Sequence, residues 1–238
     1  MSLRPDFTTT SWSTVLTARE ASTPESRAAL ETLCRNYWYP LYAFVRRQGI
    51  DADEARDLTQ AYFACLLEKG YLDDYDPARG RLRVFLKASM KNFLSKEREK
   101  ERSWKRGGRA DILSLDEGQV EGRYRFEPAD GMTPERLFER RWALTVLETA
   151  RARLRSEREA ADRGREFSLL EGFLTGQHDA PGRYKDVAAE LDTTEDAVKT
   201  AVHRLRRRFG DLLREVVGAT VSTPDEVDDE LRYLLGVL

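Results

Sequence analysis

The chain is short of the residues from which most catalytic and metal sites are built. Two histidines, His178 and His203, leave almost no material for a histidine metal site or a catalytic triad. Two cysteines, Cys34 and Cys65, sit inside apolar patterns and make no metal-ligand spacing. They form no disulfide framework for a chain of 238 residues. No run of about 18 apolar residues occurs, so no membrane-spanning helix and no membrane partner are expected. The opening MSLRPDFTTTSW lacks the apolar stretch of a secretory signal, and a cytoplasmic chain is expected. Net charge is nearly absent too, with 40 Lys and Arg against 42 Asp and Glu. What is present is 40% hydrophobic residues, enough for a core, in a length that suits one large domain or two small ones. No cofactor and no metal are expected. A binding protein is indicated rather than an enzyme.

The neutral total hides local asymmetry. Arg79 to Arg109 holds twelve basic residues and three acids, and Lys199 to Arg208 holds five basic residues and no acid. Gly210 to Leu238 reverses the sign, with seven acids and two basic residues. Segregated charge of this kind points to a polyanionic partner met by chosen surfaces.

The hydrophobic period is helical almost throughout, and an all-α fold is expected. Thr23-Pro24-Glu25, Thr133-Pro134-Glu135 and Thr223-Pro224-Asp225 each read as a helix start. The Thr caps free N–H groups, the Pro fits the first turn, and the acid favours the positive helix end. From about Ser103 to Met132 glycines and Pro128 break the period, and residues 107–133 read as a flexible linker between two small helical domains.

Three helices are expected before that linker: about Pro24 to Gln48, Ala52 to Lys69 and Leu82 to Arg102. On the second, Ala55, Leu58, Tyr62, Cys65 and Leu66 share one side. Asp57, Gln60, Ala61 and Glu68 lie on the other as a short polar patch. On the third, Leu82, Phe85, Leu86, Ser89 and Phe93 form the buried side. Lys87, Lys91, Arg98 and Arg102 fall within about 60° of one another opposite it, with Asn92 at the border. Solvated helix faces usually alternate in sign. This one does not, so it is read as a phosphate-binding face.

After the linker, Tyr184 to Arg208 has the form of a helix-turn-helix. Tyr184, Val187, Ala188 and Leu191 make a short amphipathic helix, Asp192-Thr193 a turn, and Thr194 a cap for the next helix. In that second helix Val198, Ala201, Val202, Leu205 and Phe209 share a side, which leaves Lys199, Thr200 and His203 free to enter a major groove. Arg207 projects from the same side as those three, and Arg204, Arg206 and Arg208 flank it as phosphate contacts. Asp73-Asp74-Tyr75-Asp76-Pro77 superficially suggests a calcium loop or a carboxylate pair, but lacks the remaining ligand spacing and reads as a turn.

In order and spacing these segments resemble bacterial RNA polymerase sigma factors of the extracytoplasmic function type. Leu30 to Arg106 resembles their sigma-two domain and Pro134 to Val217 their sigma-four domain. The family's Asp-Leu-x-Gln helix is matched by Asp57-Leu58-Thr59-Gln60, and its Trp-Leu-(five residues)-Asn segment by Phe85-Leu86 through Asn92. Its closing helix-turn-helix is matched by Tyr184 to Arg208. The resemblance implies a domain layout: an extension over 1–29, sigma-two over 30–106, a linker, sigma-four over 134–218 and a helical tail over 219–238. It also implies partners. Asp57, Gln60, Ala61 and Glu68 would dock on the clamp helices of the largest subunit of core RNA polymerase, and the sigma-four domain would meet the flap region. Lys87, Lys91, Asn92, Arg98, Arg102 and Trp104 would hold the −10 promoter element. Lys199, Thr200, His203, Arg204, Arg206, Arg207 and Arg208 would read the −35 element. An anti-sigma factor is a further candidate partner.

The chain departs from the family pattern in places. Phe85 replaces a Trp, and Asp192 stands where Gly is favoured in the turn. Arg56 and Ala61 stand where acids are common, which implies weaker docking on polymerase. A phosphate on Thr59 would restore negative charge, making Thr59 a candidate phosphorylation site and a Ser/Thr kinase a candidate partner. The wheel nevertheless sets Thr59 beside the apolar face. The tail after Thr223 is expected to dock on the sigma-four-like domain, or to set its acids against the Arg204–Arg208 cluster in place of DNA. Two rival readings are a stand-alone helix-turn-helix regulator, which would bind DNA without polymerase, and a metal-dependent hydrolase using Asp73, Asp74 and Asp76.

Overall fold

A computed structural model of the chain describes residues 24–68, 75–76, 80–103, 124, 131–174, 182–221 and 223–238. Every regular element among them is helical, and none is a strand. The helices are α1 (Pro24–Arg46), α2 (Ala52–Glu68), α3 (Leu82–Ser103), α4 (Pro134–Ala160), α5 (Gly164–Leu170), α6 (Arg183–Glu190), α7 (Glu195–Gly218) and α8 (Glu226–Gly236), with a 3₁₀ turn at Glu171–Leu174. The chain divides into two compact units: Met1–Thr145 with Gly218–Leu238, and Val146–Val217. The expected boundary at residue 134 is therefore displaced. The first turns of α4 belong with the first unit, and so does the tail.

The first unit is built around α1. From Tyr37 to Val45 every residue of α1 is buried, which is the mark of a helix surrounded by its neighbours rather than lying on a surface. The single apolar side anticipated for this helix was too narrow. Aromatic residues fill the space: Trp38 stacks on Tyr42 at 5.3 Å, and Phe44 meets Phe138 of α4 edge-on at 6.5 Å. Trp142 Nε1 donates to the Tyr37 hydroxyl at 3.1 Å, so both polar tips are satisfied inside the core. Helix α1 runs through Pro40, which costs one backbone hydrogen bond to the preceding turn. Of the linker, Tyr124 lies within the described residues, where its ring meets Tyr42 edge-on at 6.3 Å and lies 4.7 Å from the Arg46 guanidinium.

Helix α2 starts at Asp51, whose carboxylate accepts from the Glu54 N–H at 2.9 Å. It buries Ala55, Thr59, Tyr62, Phe63 and Leu66, whereas Leu58 and Cys65 are half-buried. The stripe is thus rotated slightly from the expected one. That rotation matters for Thr59, which is fully buried and donates its hydroxyl to the Ala55 carbonyl at 2.7 Å. The expectation of a phosphorylation site there is corrected: no face of this hydroxyl is open to an enzyme.

The start of α4 follows its capping pattern, with the Arg136 N–H on Thr133 Oγ1 at 3.2 Å. The third such pattern does not. Helix α8 begins at Glu226, two residues beyond Pro224, and Asp225 makes no side-chain cap. Thr223 and Pro224 instead form a turn whose carbonyls accept from Glu226 and Val227.

In the second unit the core comes from the rest of α4 (Val146, Ala150, Leu154), from Phe167, Leu170 and Phe173, and from Val187, Val198, Val202 and Leu205. Helices α4 and α6 end alike. Asp162 and Asp192 take left-handed conformations with φ 56° and 51°, and the next residue's N–H bonds back to Arg158 and Ala188 respectively. Aspartate tolerates this better than most residues; a β-branched side chain does not. Asp192→Val is therefore expected to cost the second unit about 2 kcal/mol, seen as a lower urea midpoint. An unchanged midpoint would contradict the assigned turn.

Candidate nucleic-acid interface

The segment read as a helix-turn-helix holds helix α6, a turn over 191–194 and helix α7. Thr194 caps α7, accepting the Ala197 N–H on its hydroxyl at 3.2 Å and the Val198 N–H on its carbonyl at 3.1 Å. Val198, Val202 and Leu205 anchor the helix in the core. Lys199, Thr200, His203, Arg204 and Arg207 are exposed as expected. Lys199 is held along the helix by Glu195 at 2.8 Å and Asp196 at 3.8 Å. The hydrogen bond to Glu195 raises its pKa, so the ammonium stays charged. The Thr200 hydroxyl donates to the Asp196 carbonyl at 2.9 Å and keeps its lone pairs for a donor from outside.

Two expected phosphate contacts are otherwise engaged. Arg206 turns its guanidinium back onto the Phe173 carbonyl, donating from Nε at 3.0 Å and Nη2 at 2.8 Å. Arg208 bonds Glu157 of α4 from Nε at 2.9 Å and Glu215 from Nη1 at 3.0 Å. The bond from Arg208 holds the Glu157 carboxyl below the usual carboxylate range. A depressed carboxylate adds stability above its unfolded pKa of about 4.3, and that stability is lost as pH falls through the folded value. Arg206 and Arg208 thus fasten the helix-turn-helix to the 3₁₀ turn and α4, and Lys199, Thr200, His203, Arg204 and Arg207 remain as the outward set.

Beside the first half of α7 lies a cleft of about 650 Å³ within the second unit. Its apolar lining comes from Phe167, Leu170, Val198 and Leu205, and its charged lining mixes Arg158, Arg163 and Arg204 with Glu166 and Asp196, Arg163 being paired with Glu166. It can accept an apolar side chain with a negative neighbour.

On α3 the buried stripe is Leu82, Arg83, Leu86, Met90, Phe93 and Leu94, with Phe85 half-buried against Tyr75 at 5.1 Å. Ser89, also half-buried, shares a 2.5 Å hydrogen bond with the Tyr62 hydroxyl. The cations expected in solvent are partly covered. Lys87 is half-buried with its ammonium 2.5 Å from Glu139, and Lys91 lies 3.6 Å from Glu135, both acids being on α4. Asn92 and Arg98 are exposed, with Arg98 donating to the Gln48 side chain at 3.1 Å. The backbone of Arg102 is helical, while its side chain and Trp104 lie outside the described residues.

The residue that sequence reading missed is Arg83. It is 5% exposed and bonds Glu230 of α8 from Nε at 2.6 Å and Glu139 from Nη1 at 2.5 Å. Its guanidinium lies 3.9 Å from the Tyr233 ring centre and 5.3 Å from that of Trp142. Arg81 also pairs with Glu230. Burial alone would lower the Arg83 pKa, but its two carboxylates outweigh that and raise it. A signal existed: Arg83 falls in step with Leu86, Met90 and Phe93, and Glu230 with Val227 and Leu234, so each charge sits on an apolar stripe. The expectation that the tail docks on the sigma-four-like domain, or on Arg204–Arg208, is corrected, because α8 binds Arg81 and Arg83 in the first unit.

On α2, Asp57 is half-buried with the Arg56 guanidinium 4.0 Å away, and Arg56 also reaches Asp53 at 3.5 Å. Gln60 is half-buried and Ala61 exposed on the same side, while the Glu68 side chain lies outside the described residues. Asp73 and Asp74 lie outside them also, and Asp76 is exposed. Among the described residues no three His, Cys, Asp or Glu side chains are gathered for a metal, and no helix is long and apolar enough to cross a membrane.

Set against protein-family models, curated proteins and solved structures, the chain matches none.

Proposed function

We propose that the chain is a promoter-specificity subunit of bacterial RNA polymerase, a sigma factor of the extracytoplasmic function type. The observation that carries this reading is α7. It is a capped, well-anchored helix that directs Lys199, Thr200, His203, Arg204 and Arg207 outward, in a helix-turn-helix whose other two arginines are spent on holding it in place. Such a helix enters a major groove by its first turns and takes phosphates with its flanking cations.

The second support is a separate helical unit with its own cationic helix, α3, whose exposed Lys91, Asn92 and Arg98 suit the −10 element. Beside it, Asp57, Gln60 and Ala61 present a small polar patch that suits the clamp helices of the polymerase's largest subunit. The partly apolar cleft next to α7 suits the flap region. In this reading the chain works in the cytoplasm, needs no cofactor and makes no covalent bond itself; phosphodiester synthesis belongs to the polymerase.

The test is association with core polymerase. The chain is expected to co-elute with core, and Asp57→Ala with Gln60→Ala to weaken that association while leaving the helical content intact. Binding to duplex DNA with full sequence discrimination in the absence of polymerase would favour a stand-alone regulator instead.

A further inference from the structure

Helix α8 closes a row of ion pairs on α3. Arg83, Lys87 and Lys91 form one row along α3 at four-residue spacing, and each meets a carboxylate: Glu230, Glu139 and Glu135. Arg81 adds a second cation on Glu230. Planar carboxylates bonded to guanidinium groups occupy the positions that phosphate oxygens would take on the same row. Two of these acids belong to α4, a 27-residue helix fixed in the core by Phe138 and Trp142. The third belongs to an 11-residue helix. A helix that short has little stability of its own, and its buried residues are Glu230 and Leu234, with Tyr233 half-buried on the Arg83 guanidinium. Its other side is left open, with Leu235 69% and Leu238 45% exposed. Short elements with few buried anchors are the first to open in a folded protein.

We propose that α8 is a releasable acidic latch, which closes Arg81 and Arg83 with Glu230 and gives way to the phosphates of DNA. The inference rests on α3 being a DNA-facing helix, as in the proposed function. While α8 is seated, Lys91, Asn92 and Arg98 are open to DNA, Arg81 is held by Glu230 and half-covered, and Arg83 is closed off. When it leaves, the basic row lengthens by two cations toward the amino-terminal end of α3. The exposed Leu235 and Leu238 side is untouched by the exchange.

The experiment is hydrogen exchange of the full chain bound to core polymerase, with and without a fluorescein-labelled promoter-length duplex, paired with binding titrations of that complex across about 50 to 200 mM salt. DNA is expected to strip protection from the amides of residues 226–236 while α1 and α2 keep theirs. Glu230→Gln retains Arg83 on Glu139 and so stays folded. It is expected to bind the duplex about tenfold more tightly, with a salt slope steeper by about one, since Arg81 alone loses its carboxylate and each further neutralised phosphate contributes about 0.9. Bound DNA with 226–236 still protected, or a folded Glu230→Gln variant with unchanged affinity and slope, overturns the latch and leaves the proposed function standing. No binding by either protein at the lowest salt removes α3 as a DNA-facing helix, and the latch with it.

Discussion

Arg83→Ala is expected to cost the first unit about 3–5 kcal/mol, the loss seen when one partner of a buried ion cluster is removed. The reasoning is one of stranded charge. Glu230 is 1% exposed and Glu139 5% exposed, and both turn their oxygens toward Arg83. Without the guanidinium, Glu139 keeps Lys87 and Glu230 keeps Arg81 at the edge, but neither carboxylate is fully paired. The packing of Tyr233 and Trp142 on the guanidinium faces is lost as well. Charge rather than volume is the main term. A triple variant, Arg83→Met with Glu139→Leu and Glu230→Leu, is therefore expected to recover most of the loss. Chemical denaturation of the three proteins decides the matter. A loss below about 1 kcal/mol for Arg83→Ala would mean that the cluster is not what holds these helices together.

The second large effect concerns α7. On the proposed function, Lys199→Glu combined with Arg204→Glu is expected to lower promoter-dependent transcription by about 100-fold or more. Each groove or phosphate contact contributes about 1–3 kcal/mol, each reversal adds repulsion, and 1.4 kcal/mol is a factor of ten. Both side chains are exposed, so the melting temperature should hardly move. Arg206→Ala should behave in the opposite way. It strips two donors from the Phe173 carbonyl and is expected to destabilise the second unit by about 1–3 kcal/mol, with promoter choice preserved. If the charge reversals leave transcription intact, or Arg206→Ala weakens DNA binding without loss of stability, the division of α7 into outward and inward cations is wrong.

Local chemistry in the sequence was enough to place most helices. Pro134 after Thr133 started α4 and Thr194 capped α7, because capping is settled within four residues. The helix-turn-helix was legible for the same reason, down to Asp192 taking the left-handed turn. What remained hidden was the partner of each face. A wheel shows that Lys87 and Lys91 lie opposite Phe93, but not that α4 will lay Glu139 and Glu135 against them. Arg206 and Arg207 are adjacent in sequence and alike in charge. Only the tertiary position of the Phe173 carbonyl separates a structural arginine from an outward one. The tail was misjudged for a related reason: its acids were weighed against the nearest basic cluster in the sequence, while Glu230 pairs with residues about 150 positions earlier.

On the proposed function, two cationic helical surfaces serve a polymerase rather than the chain alone. Run-off transcription from a fragment library, with core polymerase alone and with core plus this protein, decides between the two. New, discrete start sites are expected that appear only with the protein present and share two sequence blocks at a constant distance upstream. A start-site pattern identical with and without the protein, under conditions where it is folded and in excess, would contradict the proposed function.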